Sequence, residues 1–226
     1  TGFCRLSNMN SVLFVDIGLN QKMIHNKKAS LFSFEFFYKK EKIIANLGEI
    51  NNSKYKNMKN SLSSTAAHSS LNIDDRNNID LNGRRITRIS NIQFGKTKDG
   101  NLLDVTHSGY ETIFGVHHKR QIYLSNKKNE IRGRDEILNI GNIGSIPKNA
   151  YIRFHLYPGI ELIKTRSGSI LLNHQKGYVW KMSSNNKNIS IENSVMFTPN
   201  GPKPCKELSI ILNLEKIRAY KSISCN

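Results

Sequence analysis

The sequence predicts an all-β protein, a large antiparallel β-sandwich of stacked sheets with roughly a dozen strands or more. Apolar and polar residues alternate with a period of two along most of the chain, which is typical of strands that bury one face. Turn-rich clusters separate many of these runs, at the spacing expected of a sandwich. No stretch has the apolar spacing of a long amphipathic helix. We therefore predict a single β domain over residues 1–226.

The clearest strand pattern lies at residues 30–38, SLFSFEFFY, where three phenylalanines at alternate positions share one face. The other alternating runs are, in chain order, SVLFVDIG, KIIANLG, SSLNID, RITRISNIQF, NLLDVTHSGY, GVHHKRQIYLS, NEIRGRDEIL, AYIRFHLYP, IELIKT, SILLN, GYVWKMS, NISIENSVMF and ELSIILNL. Clusters such as KTKDGN and TRSGS contain the residues of turns and divide many of these runs. The strongest candidate linker, residues 139–150, is interpreted as a loop within the domain.

The chain is strongly basic, with 34 Lys and Arg against 17 Asp and Glu and a formal charge of +17. This charge suits a polyanionic partner, either nucleic acid, an anionic membrane or an acidic polysaccharide. Many lysines lie in Asn- and Lys-rich stretches such as residues 51–60, which is also the composition that a biased genome gives to loops. No nucleic-acid-binding motif accompanies the charge, so we predict no specific nucleic-acid partner. No apolar run approaches the ~18 residues of a membrane span.

The ends of the chain and its cysteines give little further information. The sequence begins at Thr1 without a signal-peptide pattern, so we interpret it as part of a longer protein of unknown localisation. Cys4, Cys205 and Cys225 are an odd number and lie far apart, which predicts free thiols rather than a disulfide framework or a zinc knuckle.

His68 is surrounded by unusually small residues in the stretch SSTAAHSSLNIDD, residues 63–75. Two interpretations remain open at this point. The small neighbours either let the imidazole reach a ligand or metal, or they allow a tight entry into the following strand. Asp74 and Asp75 are expected to close that strand in a turn rather than to form an acid/base pair.

The remaining candidate residues lie on predicted strands. His117 and His118 are adjacent, so their side chains should point to opposite faces. Several His, Arg and Tyr side chains on strand faces favour an anion-binding surface, for which the planar guanidinium of arginine is well suited. The candidate cleft or substrate-binding residues are His68, His107, Tyr110, Arg153 and His155. No nucleophile elbow, phosphate loop or catalytic triad spacing is present, and no catalytic residue is assigned.

Five stretches in this order resemble a known family: SLFSFEFFYKKEKIIANLG, SSTAAHSSLNIDD, THSGYETIFGVHHKRQIYLS, RGRDEIL and RFHLYPGIEL. As a set they are similar to the C-terminal β domain of heparinase II/III-like proteins, polysaccharide lyases and their relatives. The resemblance implies an α-helical toroid before the β domain, with the catalytic cleft between them. It also implies β-elimination of uronic-acid-containing chains, with a base removing the proton alpha to the carboxyl group and an acid protonating the leaving oxygen.

The resemblance further implies a structural zinc ion in characterised relatives, held by a histidine at the position of His68. The two partner ligands, a histidine and an aspartate, would fall at Lys28 and Asn46. An ammonium group is no zinc ligand and a neutral amide is a weak one, so we expect no zinc and no other cofactor. A substrate-facing histidine of the family would fall near Asn26, beside His25.

Two hypotheses for function follow. The first is a lyase acting on acidic polysaccharide, in which this chain supplies the β-sandwich side of the cleft and the toroid of the full-length protein is its partner. The second is a non-catalytic carbohydrate-binding or structural β domain. The isolated chain is expected to be inactive in either case. The resemblance suggests the bacterial periplasm or cell envelope as the compartment.

Overall fold

The computed structural model describes residues 2–18, 28–50, 53–141, 145–186 and 188–214, and the backbone of residues 222–225. His25 and Asn26 lie outside the described residues. The strands are β1 (Phe3–Ser7), β2 (Ser11–Asp16), β3 (Phe34–Tyr38), β4 (Glu41–Ala45), β5 (Leu71–Ile73), β6 (Ile89–Lys96), β7 (Gly100–Tyr110), β8 (Val116–Ser125), β9 (Ile131–Asn139), β10 (Asn149–Leu156), β11 (Glu161–Lys164), β12 (Ile170–Asn173), β13 (Val179–Met182), β14 (Ile189–Thr198), β15 (Gly201–Asn213) and β16 (Ser222–Cys225). Short helices are α1 (Lys59–Ser63) and α2 (Glu111–Phe114), with 3₁₀ turns at Ser53–Met58 and Thr65–Ala67.

The strands form three antiparallel sheets. The large sheet has the order β1-β2-β3-β4-β10-β15-β14, and β5 also pairs with β10. The five-stranded sheet has the order β16-β9-β8-β7-β6, and the three-stranded sheet the order β11-β12-β13. The all-β sandwich that the alternating pattern predicted is therefore confirmed.

The core lies between the large sheet and the five-stranded sheet. Leu13 and Phe36 of the large sheet are buried in one cluster with Leu103 and Ile122 of the five-stranded sheet. These residues occupy alternate positions of their strands, so the period of two in the sequence corresponds to one buried face on each sheet.

The structure departs from the sequence-based strand assignment at residues 30–38. The strand begins only at Phe34, because Leu31 and Phe32 form a turn in which Phe32 has a φ of 58°. The strand β1 and the helical turns at residues 53–63 were not predicted either. Within the described residues, no helix is long and apolar enough to cross a membrane.

The turn after β5 agrees with its prediction. Asp74 and Asp75 have φ values of 43° and 54°, which are left-handed conformations that Asp tolerates in turns. The Asp74 carboxylate accepts hydrogen bonds from the backbone N–H groups of Lys148 and Asn149, both at 2.8 Å. Asp74 therefore fixes the loop and the start of β10.

Candidate functional site

The 64–73 segment, which contains His68, runs through the interior of the domain. Ser69 and Ser70 are fully buried, and their hydroxyl groups donate to the carbonyls of Ala45 and Leu31, both at 2.7 Å. Larger residues at these positions would hold the segment away from those carbonyls. The small neighbours of His68 thus allow a tight entry into β5, the second of the two interpretations of this stretch.

His68 itself is 3% exposed and neutral. Its Nδ1–H donates to the carbonyl of Ser64 at 2.7 Å, because a carbonyl can only accept, and Nε2 therefore carries the lone pair. Burial and, to a smaller extent, the nearby Lys28 ammonium lower the pKa of His68 to about 4.

The residues around His68 do not fit a zinc ion. Lys28 forms an ion pair with Glu49, and the amide oxygen of Asn46 accepts the backbone N–H of Ser69 at 2.9 Å. The described part of the chain contains no group of three or more His, Cys, Asp and Glu side chains suited to a metal. The absence of zinc stays a prediction.

His155 is fully buried and faces Glu207 on the neighbouring strand β15. Its Nε2–H donates to the carbonyl of Ala66 at 2.9 Å, which leaves a lone pair on Nδ1. The Nδ1 atom of His155 lies 3.3 Å from Oε2 of Glu207. Burial lowers the pKa of His155 to about 3, so its imidazole is neutral, and burial also raises the pKa of Glu207.

Arg153, two residues before His155 on β10, is the most open of the five candidate side chains at 14% exposure. Its Nε lies 3.1 Å from Oε1 of Glu207, and its Nη1 donates to Oδ1 of Asn72 at 3.2 Å. Nη2 is 3.6 Å from the exposed Asp75 carboxylate, and the guanidinium lies 4.7 Å from the centre of the Tyr151 ring. Arg153 therefore joins the interior to the surface.

His107 belongs to a network of buried hydrogen bonds. The tautomers of the His107 and His118 imidazole rings follow from it one after the other. The backbone N–H of Gly109 donates to Nδ1 of His107 at 3.0 Å, so His107 carries its proton on Nε2. That proton is donated to Nδ1 of His118 at 3.1 Å, and Nε2–H of His118 is donated to Asp135 at 2.7 Å. Burial lowers the pKa of both histidines, which agrees with two neutral rings.

Arg120 is the last residue of this hydrogen-bond network and connects the network to the 64–73 segment. It donates to both carboxylate oxygens of Asp135, at 2.7 and 3.0 Å, and its Nη1 donates to the carbonyls of Phe32 and Ser69. Burial alone would raise the pKa of Asp135, but the Arg120 charge and the His118 N–H hold that pKa well below its ordinary value. The hydrogen bond from Arg120 Nη1 to the Phe32 carbonyl, at 2.7 Å, also fixes the left-handed turn at Phe32.

Tyr110 reaches the same segment from the end of β7. Its ring is fully buried, its hydroxyl donates to the carbonyl of Leu71 at 3.0 Å, and burial raises its pKa. The hydroxyl therefore acts as a structural donor.

The structure places His68 in the 64–73 segment and brings Tyr110, Arg153 and His155 into contact with it, whereas His107 is linked to it only through His118, Asp135 and Arg120. The five residues do not share one open face. The expectation of an exposed surface formed by the whole set must be corrected, because four of the five are at most 3% exposed. The buried four are His68, His107, Tyr110 and His155. They are buried because they satisfy carbonyls, imidazoles and amide groups inside the domain.

Sequence reasoning missed four residues that contact the candidate residues or extend their hydrogen-bond networks: His118, Arg120, Asp135 and Glu207. A signal was available for three of them. His118 and Arg120 have the same strand parity as the buried Ile122, and Asp135 has that of Ile137, so all three should face inward. His117, of the opposite parity, pairs with Glu111 at 3.1 Å on the other face, as the sequence predicted.

Comparisons with known proteins agree with this fold. The chain aligns over 99% of its length with heparan sulfate lyase HepC from Pedobacter heparinus, at a TM-score of 0.75 and 14% identity. A second similar structure is the heparinase III BT4657 gene product, with a TM-score of 0.73, 14% identity and 99% of this chain covered. The chain spans about a third of the length of these proteins, 34% in both cases. None of the curated proteins compared with it matches. The model of the family described as heparinase II/III-like, C-terminal, matches residues 1–226, and the chain belongs to that family.

Proposed function

We propose that this chain is the β half of a lyase that cleaves uronic-acid-containing acidic polysaccharide by β-elimination, and that it forms one side of the substrate cleft. The observation that carries the proposal is the family match over residues 1–226. The names of the similar structures, heparan sulfate lyase and heparinase III, support the class of substrate. The formal charge of +17 suits the carboxylate and sulfate groups of such polymers.

In this proposal the base and the acid come from another part of the full-length protein, the helical toroid. A β-elimination requires both groups within hydrogen-bond reach of one sugar ring. His68, His107 and His155 are buried and hydrogen-bonded inside the β domain, so they would not serve as these groups. The β domain would instead contribute charge and a rigid wall.

The isolated chain should therefore release no unsaturated uronate from heparan sulfate, alginate or hyaluronan. The protein that also contains the preceding domain should release it from at least one of these polymers, and absorbance of the unsaturated product is the measurement. Activity of the isolated chain would contradict the division of roles. Inactivity of the longer protein toward every uronate polymer would favour the second candidate, a non-catalytic carbohydrate-binding domain. The burial of the candidate histidines is the observation that favours this alternative.

Arg153 is the candidate residue for which substrate binding can be tested most directly. We expect Arg153→Ala to weaken binding of a uronate oligosaccharide by about 1.5–3 kcal/mol, the value of a lost charge-assisted hydrogen bond. Affinities should be measured by calorimetry at ~150 mM salt, where diffuse attraction is screened. The matched control is Arg132→Ala, since Arg132 is 68% exposed and pairs only with the nearby Glu130 among the described residues.

A DNA oligomer of equal charge density separates a shaped site from diffuse attraction. Loop lysines should attract both polymers in a strongly salt-dependent way, whereas a shaped site should prefer the uronate polymer. Equal losses in the two variants, or equal competition by DNA, would remove Arg153 from the proposed site.

A further inference from the structure

A cavity of about 710 Å³ opens on one side of the sandwich, and its lining includes no residue of the 64–73 segment. All three sheets contribute to its walls. The large sheet contributes β3, β4 and β10, the five-stranded sheet β8 and β9, and the three-stranded sheet β12 and β13. This volume lies within the range of about 300–1,000 Å³ that is usual for small-molecule sites.

One wall of the cavity is a set of aromatic rings that hold one another in place. Trp180 packs edge-to-face against Phe36, with centroids 4.9 Å apart, and against Tyr38 at 5.2 Å. The Tyr38 hydroxyl also accepts a hydrogen bond from Asn129 at 3.2 Å. Rings fixed in this way form a preformed apolar surface that loses little entropy on binding.

The opposite wall lacks a side chain at Gly133 of β9. Gly133 pairs with the buried Ile122 and has the inward parity of Ile131 and Asp135. A Cβ built at Gly133 would meet no atom within 4 Å, and no positive φ requires glycine there. Glycine inside a strand costs about 0.5–1 kcal/mol and often marks the close approach of another group. Here it keeps the cavity open.

The buried end of the cavity has one pair of polar side chains, whereas the other polar residues of its lining are more exposed: Asn129, Glu130, Arg132, Lys181, Ser183, Ser184 and Asn185. The buried pair is Arg120 and Asp135. Within the described residues, four of the five guanidinium N–H groups are used by Asp135, Phe32 and Ser69, and Oδ2 of Asp135 accepts one hydrogen bond. One N–H donor and one carboxylate lone pair therefore remain beside each other, in apolar surroundings.

From these walls and this buried end we propose that the cavity binds a neutral, planar molecule of about two aromatic rings that carries one hydrogen-bonding group. The rings would lie between Trp180 and the backbone at Gly133, and the polar group would meet Arg120 and Asp135. A sugar does not suit the buried end of this cavity, because hydroxyl groups beyond the reach of Arg120 and Asp135 would lie against the apolar side chains there without partners. The inference therefore concerns a ligand other than the proposed polysaccharide.

2-Naphthylamine is a suitable probe, since it is planar and neutral near pH 7, has two fused aromatic rings and carries one amino group as its hydrogen-bonding group. The protein has a formal charge of +17 and attracts anions in general. An uncharged probe avoids this non-specific attraction. Trp180 is the only tryptophan of the protein, so energy transfer from tryptophan to the probe reports binding, and the effect of a Gly133 substitution assigns that binding to the cavity. We expect saturable transfer with one probe molecule bound per chain.

Gly133→Leu should fill the cavity and weaken probe binding at least tenfold, with an unchanged or higher unfolding temperature. Gly95→Leu is the matched control, because Gly95 is a strand glycine of β6 without a positive φ. A Cβ built at Gly95 would lie 4.0 Å from its nearest neighbour, the Cβ of Leu102. This control should bind the probe as wild type does. The proposal is overturned if wild type shows no saturable transfer, or if Gly133→Leu binds as tightly as wild type.

Discussion

Replacing Asp135 by asparagine is expected to lower the free energy of unfolding by about 3–5 kcal/mol, the usual cost of leaving one charge of a buried pair without its partner. Arg120 is 2% exposed, so its guanidinium cannot turn to solvent. The new amide would also present N–H groups to an N–H donor of Arg120. Urea unfolding at pH 7.5 measures the change.

The control for this substitution is Glu130→Gln, which removes the exposed pair with Arg132 and should change stability by about 0–1 kcal/mol. A double variant gives a further test. Arg120→Met combined with Asp135→Asn removes the uncompensated charge, so it should recover part of the loss. If Asp135→Asn lowers the free energy of unfolding no more than Glu130→Gln does, the buried ion pair is not a major source of stability.

The protein is also expected to lose stability as the pH falls below about 6.5, before ordinary carboxylates are protonated. Burial lowers the pKa of His68 to about 4 and of His155 to about 3, whereas both imidazoles titrate near 6.5 in the unfolded chain. Below 6.5 the unfolded state therefore binds more protons than the folded state. The stabilisation is complete above that pH and is lost as the pH falls toward the folded values.

At about 1.36 kcal/mol per pKa unit, His68 alone contributes a loss of about 3 kcal/mol by pH 4. His107 and His118 act in the same direction, and the raised pKa of Glu207 opposes them in part. Urea unfolding at several pH values between 7.5 and 4 gives the slope. His68→Gln, which keeps a donor for Ser64, should reduce that slope by about one proton. A flat profile down to pH 4.5 would contradict the assignment of neutral histidines.

Most of the fold could be predicted from the sequence, because strand alternation is a local signal. The pattern of residues 30–38 shows the limit of such reasoning. Its alternation continues through Phe32, yet the strand starts at Phe34, because the carbonyl of Phe32 turns toward Arg120. That contact joins residues 88 positions apart, so no local pattern could indicate it.

The candidate site residues stay a prediction, and their burial is what the sequence did not indicate. His68, His107 and His155 are all buried, but histidine side chains also suit an exposed anion-binding face. What decides between the two is the partner of each imidazole nitrogen, a carbonyl or imidazole supplied by a distant strand. Strand parity relative to apolar neighbours was the only local clue, and it was informative for Arg120 and His118.

The attachment of the 64–73 segment to both sheets has a consequence for how the domain opens. Segments with little regular structure are usually the first to exchange their amide hydrogens, through local fluctuations. This one is held by Arg120 and Tyr110 from the five-stranded sheet, and by the backbone N–H groups of Arg153 and His155 from the large sheet. It can be released only when the two sheets separate. Its amides should therefore belong to the slowest-exchanging class of the domain, and the interior rather than the edge strands would set the lifetime of the folded state.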